Sequence, residues 1–303
     1  MQTNTLRQIS THGSQAKRLA QADPPFVRWL LVSLAVLAMV VLVVIPVVAV
    51  FAQALRKGVG VYWANLFNDP DTWHAIRLTL IVAPIAVVCN VLFGLAAAWT
   101  ITRFQFRGRS VLTTFIDIPF AVSPVVAGLC FTLLFGMQGY FGPWLKDHGV
   151  QILFALPAIV LVTTFVTLPF VARELIPVME AIGPDEEIAA VSLGANGWQI
   201  FRRITLPNIK WGLLYGVILC NARAMGEYGA VYVVSGRITG QTDTMPLRVA
   251  KLLEDYNSPG SFAVASLLTL LALVTLFLKV WVERLTRREI ADAVKAHEET
   301  AAA

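Results

Sequence analysis

The sequence predicts an all-α membrane protein with six transmembrane helices. Only 14% of its 303 residues are charged and 57% are hydrophobic, whereas soluble domains carry about 25% charged residues. A membrane-spanning helix needs about 20 consecutive apolar residues, and several runs in the chain reach that length. Composition and run length together therefore place most of the chain in a bilayer.

Six apolar runs support this prediction, and each is expected to form one span. The first begins near residue 26 and is far longer than the apolar core of a signal peptide, so it is expected to remain as an anchor. The fifth is the least apolar. The expected spans are 29–55, 78–102, 113–136, 152–172, 211–235 and 260–281. They form a transmembrane domain over 26–283, between an N-terminal arm at 1–25 and a charged C-terminal tail at 284–303.

Positive charges predict that both termini lie in the cytoplasm. With the N-terminus inside, 15 Lys and Arg residues fall in inside segments and seven in outside segments. This asymmetry is typical of inner-membrane proteins. The same orientation places the segment between the fourth and fifth runs in the cytoplasm. The net charge of +5 is explained by this orientation, so no nucleic-acid partner is expected.

Two further segments have distinctive patterns. Pro119 and Pro124 predict that the third span is kinked or broken near its start. A broken helix at membrane depth usually lines protein-buried or watery space, and a simple packing kink is the alternative. The outside segment Pro246–Tyr256 has apolar residues at helical spacing, which predicts an amphipathic helix on the membrane surface or against an outside partner.

The loop between the fourth and fifth runs is expected to form two short helices joined by a turn. Pro184 suits a first helical turn, and the three carboxylates after it favour a helix start. Gly194 is expected to end the first helix in the left-handed conformation, and Asn196 to cap the second.

The second of these helices is expected to present an apolar ridge. Trp198, Phe201 and Ile204 follow each other at three-residue intervals, and Pro207 is expected to end the helix. Such a ridge on a cytoplasmic loop predicts a partner groove. The alternative is that the helix rests on the membrane spans of its own chain.

Span five contains two charges that the membrane disfavours. A charge within a span costs at least about 2.5–3.5 kcal/mol on insertion scales, so Arg223 and Glu227 must face protein or water. Their i, i+4 spacing predicts an ion pair on one helical face, with Asn221 nearby. Either the pair is structural, or the three residues belong to a translocation path.

The loop pattern resembles the motif of type I ABC importer permeases. It consists of two Ala, a Gly four residues later, and Ile-x-Leu-Pro ten residues beyond that Gly. The segments 205–211, 221–236 and 252–257 resemble sulfate/thiosulfate permeases more narrowly, and molybdate or tungstate permeases more loosely. The family motif places Glu where this chain has Ile188, and Glu187 lies one residue earlier. The residues that this resemblance assigns to the ATPase-coupling loop are Glu187, Ala189, Ala190, Gly194, Trp198, Phe201, Ile204, Leu206 and Pro207.

The resemblance implies a permease subunit of an ATP-driven importer in the bacterial inner membrane. It also implies three partner types besides membrane lipid. They are a second homologous permease (CysT type), a dimer of ATP-binding subunits (CysA type) that holds ATP and Mg, and a periplasmic sulfate/thiosulfate-binding protein. The chain itself has no P-loop pattern and no pattern of catalytic or metal-binding residues, so no enzymatic site is expected on it. An ion-coupled secondary transporter is the rival class, but it would require two similar halves that the sequence lacks.

Overall fold

The computed structural model describes the backbone of residues 25–302 and the side chains of residues 26–284. Within that part the regular structure is entirely helical, which confirms the predicted all-α class. The N-terminal arm predicted for 1–25 lies outside the described residues, apart from the backbone of Pro25. The helices are α1 Pro25–Met39, α2 Ile45–Leu55, α3 Val59–Trp63, α4 Pro70–Arg103, α5 Arg109–Ala121, α6 Pro124–Phe135, α7 Gly142–Asp147, α8 Leu156–Ile182, α9 Asp185–Ser192, α10 Gly197–Ile200, α11 Leu206–Met225, α12 Gly229–Ser235, α13 Met245–Glu254 and α14 Ser258–Ala302.

Each of three π-helical turns lies just before a proline. They cover Val40–Val44, Ala64–Asn68 and Phe201–Thr205, and each ends two residues before a proline of the chain. A proline within a helix lacks the N–H that would bond to the carbonyl four residues earlier, and its ring clashes with that carbonyl. In all three cases that carbonyl lies inside the wider π turn. Before Pro46 and Pro207 the π turn lets the helical path continue into the proline-containing segment, whereas Asp69 is extended and interrupts the helix before Pro70.

The described residues contain four helices that are long and apolar enough to cross a membrane. They cover Phe26–Leu55, Pro70–Arg103, Leu156–Ile182 and Ser258–Arg284. Helices α5 and α6 form a fifth crossing if the pair counts as one span, and they meet at an angle of 107°. This confirms the predicted break in the third span. Helix α8, which contains the fourth predicted span, continues to Ile182, ten residues beyond the predicted end at 172, and Leu175 and Met179 in this extension are buried within the chain.

The predicted fifth span differs from a simple crossing. Helix α11 ends at Met225, and α12 begins at Gly229 after a short non-helical segment. The six-span count therefore remains a prediction, although the all-helical architecture agrees with it.

Helices α4, α8 and α11 form the centre of the packed unit that begins at Gln53. Gly94 of α4 allows a close approach to α8, because a Cβ added there would lie 2.8 Å from Cγ1 of Val171. Buried Asn90 donates a hydrogen bond to Oγ1 of Thr167 at 2.7 Å and another to Sγ of Cys220 at 3.4 Å. Hydrogen bonds of this kind link helices within membranes, where small residues permit close contact.

Helix α13 confirms the predicted amphipathic helix, but much of its apolar face is covered by the chain itself. Met245 and Leu247 are fully buried. Met245 belongs to a core cluster with residues from the segment before α4 and from α14, whereas Leu247 belongs to the cluster around α8 and α12. The helix therefore packs much of its apolar face within its own subunit, whereas Leu253 is 48% exposed.

Candidate functional site

The loop between α8 and α11 has the local geometry that its residues predict. Helix α9 begins at Asp185 directly after Pro184, and Gly194 has a φ of +85°, which L-residues with a Cβ disfavour. Asn196 accepts a hydrogen bond from the Gln199 backbone N–H at 2.9 Å, and the Gln199 side chain accepts one from the Asn196 N–H at 2.9 Å. This reciprocal pair forms a capping box. The two predicted short helices and the caps between them are confirmed.

Pro207 does not end the second loop helix, so that prediction was wrong. The helical path continues from α10 through the π turn at Phe201–Thr205 into α11, and Pro207 lies in the first turn of α11. The wider π turn before Pro207 accommodates its ring and its missing N–H, so the helix continues past it.

The predicted apolar ridge is not continuous in the structure. Trp198 is exposed, whereas Phe201 and Ile204 are half-buried. The π turn changes the angular spacing after residue 200, so the three side chains no longer follow one face. The ring centroid of Phe201 lies 5.6 Å from that of Trp198 and 5.8 Å from that of Trp99 on α4. Phe201 therefore packs towards the chain itself.

A different set of apolar side chains is open to solvent on this loop. Leu193 is 89% exposed, Trp198 68%, Val191 60% and Ile188 57%. We call these four the exposed loop residues. Ala189 is exposed beside them, whereas Ala190 is buried at the turn. Ile188 occupies the position at which the family motif has Glu.

The carboxylate of Glu187 points into the chain rather than outwards. Oε2 accepts a hydrogen bond from Nε of Arg103 at 2.8 Å, and Oε1 accepts bonds from Nη2 of Arg103 at 3.1 Å and Oγ1 of Thr205 at 2.8 Å. The side chains of Arg103 and Glu187 are only 9% and 13% exposed. A neighbouring bond, from Asn208 Nδ2 to Oε2 of Glu186 at 2.6 Å, joins α9 to the start of α11. The predicted loop residue Glu187 thus has both oxygens engaged within this subunit.

The predicted ion pair in span five is present, but not on one continuous helix. Nη1 of Arg223 lies 2.6 Å from Oε2 of Glu227, with side chains 34% and 2% exposed. Glu227 follows the end of α11, and its Oε1 accepts a hydrogen bond from the Ala230 N–H at 2.9 Å in the first turn of α12. Half-buried Asn221 lies two residues before Arg223 on α11 and donates to Sδ of Met225 at 3.4 Å.

The breaks in the third and fifth predicted spans lie side by side. A Cβ added to Gly229 would be 3.3 Å from Cβ of Pro124, and one added to Gly128 would be 2.9 Å from the Ala230 carbonyl oxygen. Helices α6 and α12 therefore start next to each other. Non-helical backbone at membrane depth occurs where it is buried in protein or lines a watery cavity.

At the opposite end of α4, a second buried arginine holds a carboxylate. Nη2 of Arg248 donates to Oδ2 of Asp69 at 2.6 Å, and Nε donates to Oγ1 of Thr72 at 3.2 Å. Burial alone would raise the pKa of Asp69, but the hydrogen bonds from Thr72 and Arg248 and the Arg248 charge hold it below its usual value. Burial dominates at Asp243 and raises its pKa, against the nearby charges of Lys251 and Arg248.

Comparison with known proteins decides the family. Residues 90–288 match the family described as binding-protein-dependent transport system inner membrane component. The chain belongs to this family. That membership confirms the resemblance to ABC importer permeases and places the permease in an inner membrane.

Two curated relatives and one solved structure agree with this membership. The chain is 50% identical over 287 residues to the sulfate transport system permease protein CysW of Escherichia coli K12, covering 94% of this chain and 98% of the relative. It is 35% identical over 232 residues to the sulfate transport system permease protein CysT of the same strain, covering 77% and 83%. A crystal structure of a bacterial alginate ABC transporter with its pentasaccharide-bound periplasmic protein superposes with a TM-score of 0.70 at 17% identity, covering 87% and 94%. The last similarity shows the type I permease fold.

Sequence reasoning missed the partners of the loop in the permease. No motif in the sequence singles out Arg103 or Thr205 as a contact of the loop. The pairing with Glu187 joins residues 84 positions apart, so no local pattern could reveal it. A positive residue at the end of a span, facing an acidic loop, is the one signal that pointed to it.

Proposed function

We propose that this permease is a membrane subunit of an ATP-driven importer of sulfate or thiosulfate, and that it forms half of the translocation pathway. The observation that carries the proposal is the 50% identity to a sulfate permease over 94% of the chain. Identity on this scale extends through both helix breaks and the loop, rather than through one motif. In this proposal both termini are cytoplasmic, and the Asp69–Arg248 end of α4 faces the periplasm.

The exposed loop residues are the proposed contact with a dimer of ATP-binding subunits. Large apolar side chains at 57–89% exposure on a loop outside the membrane are costly in water. A groove on a partner would remove them from water. ATP and Mg would then be bound by that partner, and this chain would carry no ATPase site of its own.

The second half of the pathway would come from a homologous permease of the CysT type, and a periplasmic binding protein would deliver the anion. The 35% identity between this chain and a CysT protein supports a pair of related subunits with pseudosymmetric interfaces. Asn221, Arg223 and Glu227 are the proposed path residues, because they lie at the paired helix breaks. Arg223 is partly exposed there and can attract an anion, while Glu227 holds the Arg223 side chain in place.

Uptake of radiolabelled sulfate tests the substrate. A strain that lacks its own sulfate permease should regain sulfate uptake when this chain is expressed with the partner genes of its operon. Excess unlabelled thiosulfate should compete with that uptake, and excess molybdate should not. Restoration of molybdate uptake without sulfate uptake would overturn the substrate, but it would leave the permease family intact.

Sulfate uptake, measured together with assembly of the complex, separates a structural role from an anion-binding role for Arg223 and Glu227. Removing one partner of a buried ion pair typically costs about 3–5 kcal/mol, so Arg223→Ala or Glu227→Ala alone should impair assembly. The double Ala variant should recover assembly because no charge is left unpaired. If Arg223 attracts the anion, the recovered complex should still take up little sulfate, whereas recovery of uptake would restrict the pair to a structural role.

A further inference from the structure

Arg103 connects three segments of the chain at the loop end of the membrane helices. It is the last residue of α4, and its guanidinium binds both carboxylate oxygens of Glu187 on α9. Its Nη1 donates to the Met179 carbonyl at 3.1 Å, and its Nη2 donates to the Gly183 carbonyl at 2.9 Å. Met179 lies in the last turn of α8, where its carbonyl also accepts the Gly183 N–H at 3.3 Å, and Gly183 directly follows the helix. One side chain thus joins α4, α8 and the loop.

The geometry of this connection restricts which residue can make it. A guanidinium presents its donors in a planar fork, which can bind a carboxylate with two parallel bonds and still reach other acceptors. An ammonium is a single point charge on a flexible stem and cannot bind all four acceptors at once. The Arg103–Glu187 pair is also largely shielded from water, so solvent weakens it less than an exposed pair.

A second contact joins the loop to the same helix. Phe201, in the π turn that follows α10, packs near Trp99, one turn before Arg103 on α4. Thr205 in that turn also donates to Glu187. The loop is therefore held to α4 on both of its helical segments, while Ile188, Val191 and Leu193 remain exposed to solvent.

We infer that Arg103 is a positioning residue that makes the loop and α4 move as one body, so that displacement of the loop by a partner reaches the membrane helices. This inference rests on the proposed function, in which an ATPase moves the loop. In it, Glu187 serves the connection within the subunit and does not contact the ATPase. The apolar exposed loop residues, including Ile188 at the motif position of Glu, make that contact instead.

Reconstituted complexes in proteoliposomes test this inference by the amount of sulfate taken up per ATP hydrolysed. Arg103→Lys and Glu187→Gln should still assemble with the ATPase, because the exposed loop residues are unchanged. Their ratio of uptake to hydrolysis should fall by about ten-fold, within the range of couplings between protein sites. Arg109→Lys is the matched control, because Arg109 forms an exposed pair with Glu180 near the same end of the helices, and it should leave the ratio unchanged. Wild-type ratios in both test variants would overturn the inference.

Thr205 provides a milder variant in case Arg103→Lys does not assemble. Thr205→Val removes one bond to Glu187 with little change of shape, and it should lower the ratio. Thr205→Ser keeps the hydroxyl and should retain the wild-type ratio. Equal ratios for the two substitutions would contradict the inference.

A distance measurement tests the connection independently of the substrate. Spin labels at Gln105→Cys and Ser192→Cys, in a background without the native cysteines, report the separation between the end of α4 and α9. The distance distribution should be narrow in the wild-type complex with and without nucleotide, and broad in Arg103→Lys. If wild-type proteoliposomes take up no sulfate, the proposed substrate fails, and this measurement still decides the inference. A narrow distribution in Arg103→Lys would refute it.

Discussion

The two ends of α4 are built from similar parts but expose different surfaces. At each end a buried arginine binds a carboxylate and joins α4 to a short helix, through Arg103 and Glu187 at one end and Asp69 and Arg248 at the other. The short helix α13 buries Met245, Leu247 and Leu252 within the subunit. The loop helix α9 buries only Ala190 and leaves larger apolar side chains in solvent.

In the proposed function, this difference separates a structural cap at α13 from a contact surface on the loop. Both helices are amphipathic and both are fixed by an ion pair, so neither property identifies a docking site. The distinguishing property is whether the same chain covers the apolar face. A loop that is rigidly held and yet apolar on its outer side is suited to receive a partner and to transmit its movement, because rigid attachment and exposure occur in the same few residues.

The largest expected effect on stability comes from truncating a buried leucine on α13, compared with an exposed leucine on the loop. Leu247→Ala should destabilise the subunit by about 2–5 kcal/mol, as is usual for a large-to-small change in a packed core. Leu193→Ala should change its stability by less than about 0.5 kcal/mol, because the side chain is exposed. Thermal unfolding of the detergent-solubilised subunit measures both.

The amount of ATPase that co-purifies should instead depend on the exposed residues of the loop and not on those of α13. Leu193→Glu should fold and lose the co-purifying ATPase, because it places a charge in the proposed groove. Trp198→Ala should also reduce recovery, whereas Leu253→Glu, an exposed position on α13, should not. Normal recovery with Leu193→Glu would contradict the contact surface, and loss with Leu253→Glu would remove the distinction between the two helices.

A smaller effect is expected from breaking the pair at the α13 end. Arg248→Ala should cost about 3 kcal/mol, at the low end for a buried pair, because the Asp69 side chain is 33% exposed and partly solvated. Arg109→Ala breaks an exposed pair and should cost at most about 1 kcal/mol. Urea-induced unfolding in detergent compares the two variants. Equal losses would mean that burial does not distinguish these pairs.

The sequence predicted what depends on neighbours along the chain and missed what depends on contacts across it. The stop at Gly194, the cap at Asn196 and the broken third span follow from local backbone preferences, and all are confirmed. The end assigned to Pro207 was wrong, because a π turn accommodates the proline, and spacing rules assume a regular helix. The inward orientation of Glu187 depends on Arg103, which lies 84 residues away.

The two carboxylates at the α13 end should respond to pH in opposite directions, which gives the smallest but most specific comparison. The pKa of Asp69 is lowered from 3.8, so its ionised form favours the folded state. That stabilisation is present above the usual pKa and is lost as the pH falls through the lowered value. The pKa of Asp243 is raised by burial, and both of its oxygens lack a hydrogen-bond partner among the described residues. Its effect on stability is therefore most favourable below the usual pKa and is lost as the pH rises through the raised value.

Two amide variants separate these contributions. Relative to wild type, Asp69→Asn should become progressively less stable as the pH rises towards about 4, and the difference should stay constant above that, because the wild-type carboxylate is then ionised in both the folded and the unfolded state. Asp243→Asn should become relatively more stable as the pH rises above about 4, because it avoids the cost of ionising a buried group. Unfolding temperatures of the solubilised subunit, measured from about pH 2 to pH 8, give the two difference curves. Curves with the same sign of slope would show that the Arg248 side chain serves both carboxylates alike, and that the outer end of α4 is not organised around the Asp69 pair alone.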